Sequence, residues 1–129
     1  MRLLVDTHVL LWAIAEPQKL PGTSQAKLEA AENEVLFSAA SIWELAIKLQ
    51  IGRLVLPIGL EDLMDAAKIM GFTELPVSAA HAAGVWHLPL YHRDPFDRLL
   101  VAQAIHEPAR LLTADRALSQ YSNLVEVIV

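Results

Sequence analysis

Short apolar runs alternate along the chain with longer segments in which apolar residues recur at helical spacing. The runs predict strands at residues 3–5, 34–38, 72–75, 110–113 and 124–128, and the longer segments predict helices at residues 9–15, 39–51 and 60–70. Gly52 and Gly71 stand where the second and third of these helices must end. Buried strands that alternate with helices are typical of a parallel sheet covered by helices on both faces.

Two further helices are predicted from the residues that would begin them. Thr23 or Ser24 is placed to cap a polar helix that runs to about Glu32. Ser78 is placed to cap a helix of small residues that ends near Trp86. The alternation of strands and helices therefore continues through the whole chain, and we find no internal repeat or interdomain linker.

A further helix is predicted to begin at Asp94 and to be buried on most of its circumference. Asp94 suits the N-cap, Pro95 suits the first helical position, and Asp97 falls where a capping box carries its carboxylate. Asp97 shares a helix face with the apolar residues Leu100 and Ala104. Because no Lys or Arg lies on that face within a turn, the carboxylate of Asp97 needs another partner.

Several acidic residues are predicted to meet at the carboxyl edge of the sheet, where ligands of such folds bind. Asp6 follows the first strand, Asp94 and Asp97 begin a helix, and Asp115 follows the fourth strand as the cap of a short helix. Glu44 lies little more than one turn into the helix after the second strand. Carboxylates that converge in this way raise each other's pKa unless a cation is present, and Mg²⁺ or Mn²⁺ suits a cluster of oxygen ligands.

Each acid taken alone also has a structural explanation. Asp6, Asp94 and Asp115 stand at positions where Asp commonly caps a helix. Glu44 is four residues before Lys48 and can pair with it across one helical turn. The metal-site hypothesis therefore depends on the four or five acids as a set.

Composition limits the classes of protein and partner. The chain has 129 residues, 54% of them hydrophobic, which favours one well-packed domain over disorder. The net charge of −5 argues against a broad phosphate-binding surface, and the absence of cysteine excludes disulfides, a thiolate nucleophile and a thiolate zinc site. No apolar run reaches the ~18 residues of a membrane span, and Asp6 comes too early for a signal peptide, so we expect a cytoplasmic protein with no membrane association.

Four segments resemble, in the right order, the successive motifs of PIN-domain proteins, in particular the VapC-type toxins of prokaryotic toxin–antitoxin pairs. They are LVDTHVLLW at residues 4–12, SIWELAIK at 41–48, DPFDRLLVAQA at 94–104 and LTAD at 112–115. The resemblance implies an α/β fold, a PIN-like three-layer α/β/α sandwich with a central parallel sheet, in which residues 1–129 form a single PIN domain.

The resemblance also implies a metal-dependent endoribonuclease that hydrolyses RNA phosphodiester bonds. Its Mg²⁺ or Mn²⁺ would be held by an acidic quartet at Asp6, Glu44, Asp97 and Asp115, and would activate a water and stabilise charge on the scissile phosphate. Asp94 is an additional acid that could replace Asp97 as the third ligand. We expect Asp97 to be the ligand, because Asp94 is better explained as the helix cap.

Five more residues are candidates for contact with the substrate. Thr7 and Thr113 could orient ligands or phosphate, or serve only as turn and cap hydroxyls. Arg98 and Arg116 follow site acids in sequence and could meet RNA phosphates, or lie in solvent. His92 is the one histidine near the predicted site that we single out.

The expected partners are an RNA substrate, a second copy of the chain and a VapB-like antitoxin. The resemblance implies a homodimer whose apolar groove, near residues 39–58, accepts the antitoxin. Two alternatives remain at this point. A receiver-like Mg²⁺-binding signalling domain would want adjacent acids after the first strand and a late lysine, whereas Asp6 stands alone and no lysine follows Lys68. A non-catalytic PIN-like binding module would use the acids only as caps and would need no metal.

Overall fold

A parallel five-stranded sheet forms the centre of the protein. The computed structural model describes all 129 residues. Its strands are β1 (Arg2–Val5), β2 (Glu34–Ser38), β3 (Thr73–Leu75), β4 (Arg110–Thr113) and β5 (Val125–Val127). They lie in the order β3-β2-β1-β4-β5, with every neighbouring pair parallel. Receiver-like domains have the order 2-1-3-4-5. The receiver-like alternative is therefore wrong.

Six α-helices connect and cover these strands. They are α1 (Thr7–Ala15), α2 (Gly22–Glu29), α3 (Ala39–Gln50), α4 (Leu60–Ile69), α5 (Ala79–Gly84) and α6 (Pro95–His106). Short 3₁₀ helices occupy Pro17–Lys19, Val85–His87 and Arg116–Gln120. The longest helices have 12 residues, and none of the six combines the length and apolar character needed to cross a membrane.

Alternate residues of the three inner strands, β1, β2 and β4, enter two separate cores, one on each face of the sheet. Leu3 and Val5 of β1 pack on the face covered by α1, α3 and α4, whereas Leu4 between them packs on the face covered by α6. Both sets are fully buried, as expected for strands in the middle layer of three. The predicted α/β/α sandwich with a central parallel sheet is confirmed.

The strand order places a topological switch point between β1 and β4. From β1 the chain moves outward through β2 and β3, and it then crosses to β4 on the other side of β1. The backbone N–H of Asp6 continues the ladder beyond β1 by donating to the carbonyl of Leu112 at 3.0 Å. Loops at the carboxyl ends of β1 and β4 therefore diverge around a crevice, which is where open parallel sheets bind ligands.

Most predicted elements are confirmed, and the main error concerns α2. Neither Thr23 nor Ser24 caps this helix. It begins at Gly22, and the carbonyl of Pro21 accepts the N–H of Ser24 at 3.0 Å. The helix ends at Glu29 rather than Glu32, because the side chain of Asn33 donates to the carbonyl of Lys27 at 2.9 Å and turns the chain toward β2.

Smaller differences lie at element ends. The helix capped by Ser78 stops at Gly84 and continues as a 3₁₀ helix through Trp86. The strands predicted at 72–75 and 124–128 lose one residue and two residues, respectively, at their ends.

The end of α3 is fixed by a glycine in the left-handed conformation. Gly52 has φ +74°, and its N–H donates to the carbonyl of Leu49 at 3.3 Å. The N–H of Arg53 donates to the carbonyl of Lys48 at 2.9 Å, which completes a Schellman motif. The motif directs the chain that leaves α3 and sets the position of Arg53.

Replacing Gly52 by alanine should destabilise the protein by about 1 kcal/mol, because an L-residue is strained at this positive φ. Gly22→Ala is the matched control: Gly22 has no positive φ, and an added Cβ would meet no atom within 4 Å. Denaturant unfolding of both variants tests this. Equal midpoints for Gly52→Ala and the wild type would contradict the assigned cap.

Candidate active site

Asp6 is buried at the junction of β1 and α1 and is held by two hydrogen bonds. It is the N-cap of α1, where its Oδ1 accepts the N–H of Val9 at 2.8 Å. Its Oδ2 accepts a hydrogen bond from the hydroxyl of Thr113, the last residue of β4, at 2.5 Å. The carboxylate of Asp6 is thereby tied to the two strands on either side of the switch point. Its predicted role as a cap and its predicted place in the acidic cluster are compatible.

Glu44 reaches the same edge of the sheet from α3 and is only 3% exposed. Its Oε1 lies 2.7 Å from the hydroxyl of Thr7, and its Oε2 lies 2.6 Å from Nζ of Lys48. The Thr7 hydroxyl is also 3.0 Å from the hydroxyl of Ser41. Because Thr7 has one proton and a carboxylate can only accept, Thr7 donates to Glu44 and accepts from Ser41. Both carboxylate oxygens of Glu44 are therefore oriented.

Asp94 and Asp97 differ in their hydrogen bonds at the start of α6. Asp94 is the N-cap, and its Oδ1 accepts the N–H groups of Phe96 at 2.8 Å and of Asp97 at 3.2 Å. The N–H of Asp94 donates to Nδ1 of His92, so the carboxylate of Asp97 does not complete a capping box. The carboxylate of Asp97 accepts no hydrogen bond within the protein and remains free to bind a ligand.

His92 connects the start of α6 to Asp115. Its Nδ1 accepts the N–H of Asp94 at 3.1 Å, so the neutral ring carries its proton on Nε2. That Nε2 lies 2.9 Å from Oδ2 of Asp115 and 3.8 Å from Oδ2 of Asp97. The other oxygen of Asp115 accepts the N–H of Ala117 as a cap. His92 thus donates to Asp115 and orients it, and it offers no free lone pair to a metal.

A cleft of about 250 Å³ opens at this edge and is lined by Asp6, Asp97 and Asp115. Burial raises the pKa of Asp6, and the hydrogen bonds from Thr113 and Val9 oppose that rise only in part. Burial first, and then the charges of Asp94, Asp6 and Glu44, raise the pKa of Asp97 to about 7. A carboxyl group with a raised pKa keeps its proton to higher pH, because too little positive charge lies near it to stabilise the ionised form.

These donors fit a hard divalent ion. All of the possible ligand atoms are carboxylate oxygens, and they come from four different parts of the chain. Asp97, whose carboxylate accepts no hydrogen bond, faces the cleft. Asp6, Asp97 and Asp115 thus line one cleft, Glu44 lies near enough for its charge to raise the pKa of Asp97, and Asp94 caps the helix beside them.

Two of the five predicted substrate-contact residues lie elsewhere. Arg98 is buried, neither in the cleft nor in solvent: its guanidinium donates to the carbonyl of Pro89 at 2.8 Å and to the hydroxyl of Tyr121 at 3.1 Å. The predicted phosphate contact at Arg98 is contradicted, because the side chain is buried against these acceptors and does not line the cleft. Arg116 is exposed, donates to the carbonyl of Val129 and does not line the cleft.

The other three belong to the site but contact acids. Thr113 donates to Asp6, Thr7 donates to Glu44, and His92 donates to Asp115. The ligand-orienting role predicted for the two threonines therefore agrees with their contacts. Ser41 was missed, although its place three residues before Glu44 puts it on the same helix face. Tyr121 was also missed; its hydroxyl accepts the N–H of His92 at 2.8 Å, and no sequence signal linked the two residues.

His92, Asp97 and Asp115 form one group whose possible ligand atoms lie within 4.8 Å of one another; the other such group, His81, His106 and Glu107, is better explained as a structural tie. The Nδ1 of His81 accepts the N–H of Ser78, and its Nε2 lies 2.5 Å from Glu107. Glu107 also pairs with Arg2, and the contact with His81 is the main reason that its pKa is lowered. Because both ring nitrogens of His81 are engaged, this group offers no ready metal site.

The sequence model of the PIN domain matches residues 3–124. The chain belongs to the PIN-domain family. Among PIN proteins it is similar to Ribonuclease VapC22 of Mycobacterium tuberculosis, with 37% identity over 123 residues that cover 92% of this chain and 90% of that protein. The resemblance to VapC-type PIN proteins predicted from the four sequence motifs is confirmed.

Two solved structures share the PIN fold with this chain at identities too low to indicate more than fold. The structure of VapBC2 from Rickettsia felis, bound to a DNA fragment from its promoter, matches with a TM-score of 0.71 and 20% identity over 98% of both chains. The structure of FitAcB from Neisseria gonorrhoeae matches with a TM-score of 0.57 and 19% identity, over 90% of this chain and 89% of that one.

The raised pKa of Asp97 predicts how the stability of this PIN protein depends on pH without metal. Folded Asp97 keeps its proton up to about pH 7, whereas unfolded Asp97 loses it near pH 3.8. Between these values the folded state binds more protons, so the free energy of unfolding falls as pH rises. Asp97→Asn should flatten this fall and be more stable than the wild type above pH 7.

Denaturant unfolding across this pH range, in the presence of a chelator, measures the effect. Asp65→Asn is the matched control, because Asp65 is an exposed acid on α4. It should follow the wild type. Parallel curves for the wild type and Asp97→Asn would contradict the assignment of Asp97 to a buried cluster of like charges.

Proposed function

We propose that this PIN-domain protein is a metal-dependent endoribonuclease and the toxin of a VapBC-type toxin–antitoxin pair. The observation that carries the proposal is the convergence of Asp6, Glu44, Asp97 and Asp115 on one edge of the sheet. The similarity to a protein named as a ribonuclease extends over nearly the whole chain, which supports the same activity here.

The proposed cofactor is Mg²⁺ or Mn²⁺, bound by Asp6 and Asp97 as principal ligands. Asp97 has two free carboxylate oxygens, and each oxygen of Asp6 keeps one lone pair beyond its hydrogen bond. Glu44 and Asp115 complete the site directly or through water. A divalent ion bound there supplies charge stabilisation at the scissile phosphate and lowers the pKa of a coordinated water.

The remaining groups of the site hold the ligands in place. Thr113 and Thr7 fix the carboxylates of Asp6 and Glu44, and His92 fixes Asp115. Lys48 neutralises part of the charge on Glu44. These contacts set the ligand positions before the metal or the substrate arrives, so little reorganisation is needed when the reaction begins.

The pair Asp94→Asn and Asp97→Asn separates a cap from a ligand. Asparagine caps a helix nearly as well as aspartate, so Asp94→Asn should keep most of the ribonuclease activity. Asp97→Asn should fold and yet lose activity by about 100-fold or more, because it removes a ligand rather than a supporting contact. The measurement is cleavage of a defined RNA by each purified variant at saturating Mn²⁺. Loss in Asp94→Asn with retention in Asp97→Asn would mean that Asp94 is the ligand.

The proposed protein partner is a VapB-like antitoxin that binds an apolar groove. A cleft of about 380 Å³ is lined mainly by apolar side chains of α1 and of the segment after α3, including Leu11, Leu54, Val55 and Leu56. Val55 is 89% exposed. This groove overlaps the region near residues 39–58 expected from the sequence, and an apolar segment of the antitoxin would cover it.

Induced expression of the wild-type protein in a bacterial host should arrest growth, and Asp6→Asn should not. Asp6 is not part of the apolar groove, so the variant should still co-purify with the product of a neighbouring antitoxin gene. Asp65→Asn, expressed at the same level, should arrest growth like the wild type. Growth arrest by Asp6→Asn would indicate toxicity through aggregation or sequestration and would contradict the nuclease proposal.

A further inference from the structure

A second cleft, of about 400 Å³, continues from the acidic cleft along α1. His8 and Trp12 line both clefts and form the border between them. These residues are one helical turn apart, and their ring centroids are 6.3 Å apart. His8 is exposed and Trp12 is half-buried, so a molecule that occupies the acidic cleft can extend across this border.

Three cationic side chains and one carboxylate, that of Glu16, line the second cleft. Lys19, Lys48 and Arg53 line it, which are three of the ten Lys and Arg residues in a chain of net charge −5. Lys48 pairs with Glu44, and Lys19 pairs with Glu16. Arg53 is exposed and has no carboxylate within 4.0 Å. Its charge is therefore available to an anion from outside the chain.

The backbone fixes these cations relative to the acidic cleft. Lys48 lies one turn after Glu44 on α3, and the two side chains contact each other. The Schellman motif at Gly52 then turns the chain so that Arg53 lies beside the end of the same helix. Glu44, Lys48 and Arg53 therefore follow one another along α3 and just beyond its end, in a direction that leads away from the proposed reaction centre. Lys48 pairs with Glu44, whereas Arg53 pairs with no carboxylate.

We propose that this basic cleft, lined by Lys19, Lys48 and Arg53, binds phosphates of a single-stranded RNA segment next to the bond that is cut. The proposal rests on the proposed ribonuclease function. A strand that crosses the border at His8 and Trp12 places an unpaired base against aromatic faces and its following phosphates against the cations. This arrangement brings RNA to an acidic site that would otherwise repel its backbone.

An acidic segment of a partner protein is the competing occupant. The cleft meets the apolar groove through Leu11 and Leu54, which line both. Continuity with the carboxylate site favours RNA, because the substrate must pass through that site and His8 and Trp12 line both clefts.

The test uses Asp6→Asn as a cleavage-deficient background, with Mg²⁺ present, and a fluorescent single-stranded oligouridylate as the probe. Adding Arg53→Gln should weaken binding by about threefold to tenfold. It should also reduce the slope of log affinity against log salt by about 0.7, the value for one lost phosphate contact on a single strand. Lys68→Gln is the matched control, because Lys68 is an exposed lysine in the last turn of α4, away from the cleft; it should change neither quantity.

Equal affinity and equal salt slope for the Arg53→Gln and Lys68→Gln proteins would overturn the proposal. So would an Arg53→Gln protein that keeps RNA binding and loses the partner protein, since the cleft would then belong to that partner. The wild type could also bind RNA in a way that depends on Arg53 and yet cleave no RNA. That result would contradict the nuclease function and support the proposed binding site.

Discussion

Mutual repulsion among carboxylates is the constraint on which the site depends. The protein holds Asp6 and Glu44 almost completely buried, and burial, followed by the charges of Asp94, Asp6 and Glu44, raises the pKa of Asp97. Directed donors keep these groups in place: the hydroxyls of Thr113 and Thr7 each contact one carboxylate. These hydroxyls orient the acids without cancelling their charge, and Lys48 pairs only with Glu44, so no lysine or arginine neutralises Asp6 or Asp97.

The strand order and the starting points of the helices bring the acids to one edge of the sheet. In the order β3-β2-β1-β4-β5, the carboxyl ends of β1 and β4 diverge at the switch point, and Asp6 and Asp115 follow these two strands. Helices α3 and α6 begin at the same edge and carry Glu44 and Asp97 in their first two turns. The two apolar cores on either side of the sheet hold β1, β2 and β4 in place, because each of these three strands is packed on both faces.

The sequence was sufficient for most of the fold and for the list of acids, because both depend on local pattern. A parallel sheet with the acids at its carboxyl edge follows from the alternation of elements, and Asp94 was recognisable as a cap from its own neighbours. The order of the strands came only from the structure, because different orders share the same alternation. The error at Arg98 has a different origin. An arginine that follows a site acid in sequence suggests a contact with a substrate phosphate. The actual partners of Arg98, Pro89 and Tyr121, are brought to it only by tertiary packing. Contacts between residues that are far apart in the chain produce no periodic pattern in the sequence.

The central claim, that the acids form one cation-binding site, is tested most directly by calorimetric titration of Mn²⁺ near pH 7 in buffers of different ionisation enthalpy. The account predicts that the wild type binds Mn²⁺ with release of protons, because Asp97 is partly protonated at this pH and must ionise to become a ligand. Asp6→Asn should bind at least about tenfold more weakly. Equal binding by both proteins, or binding by neither, would contradict the account.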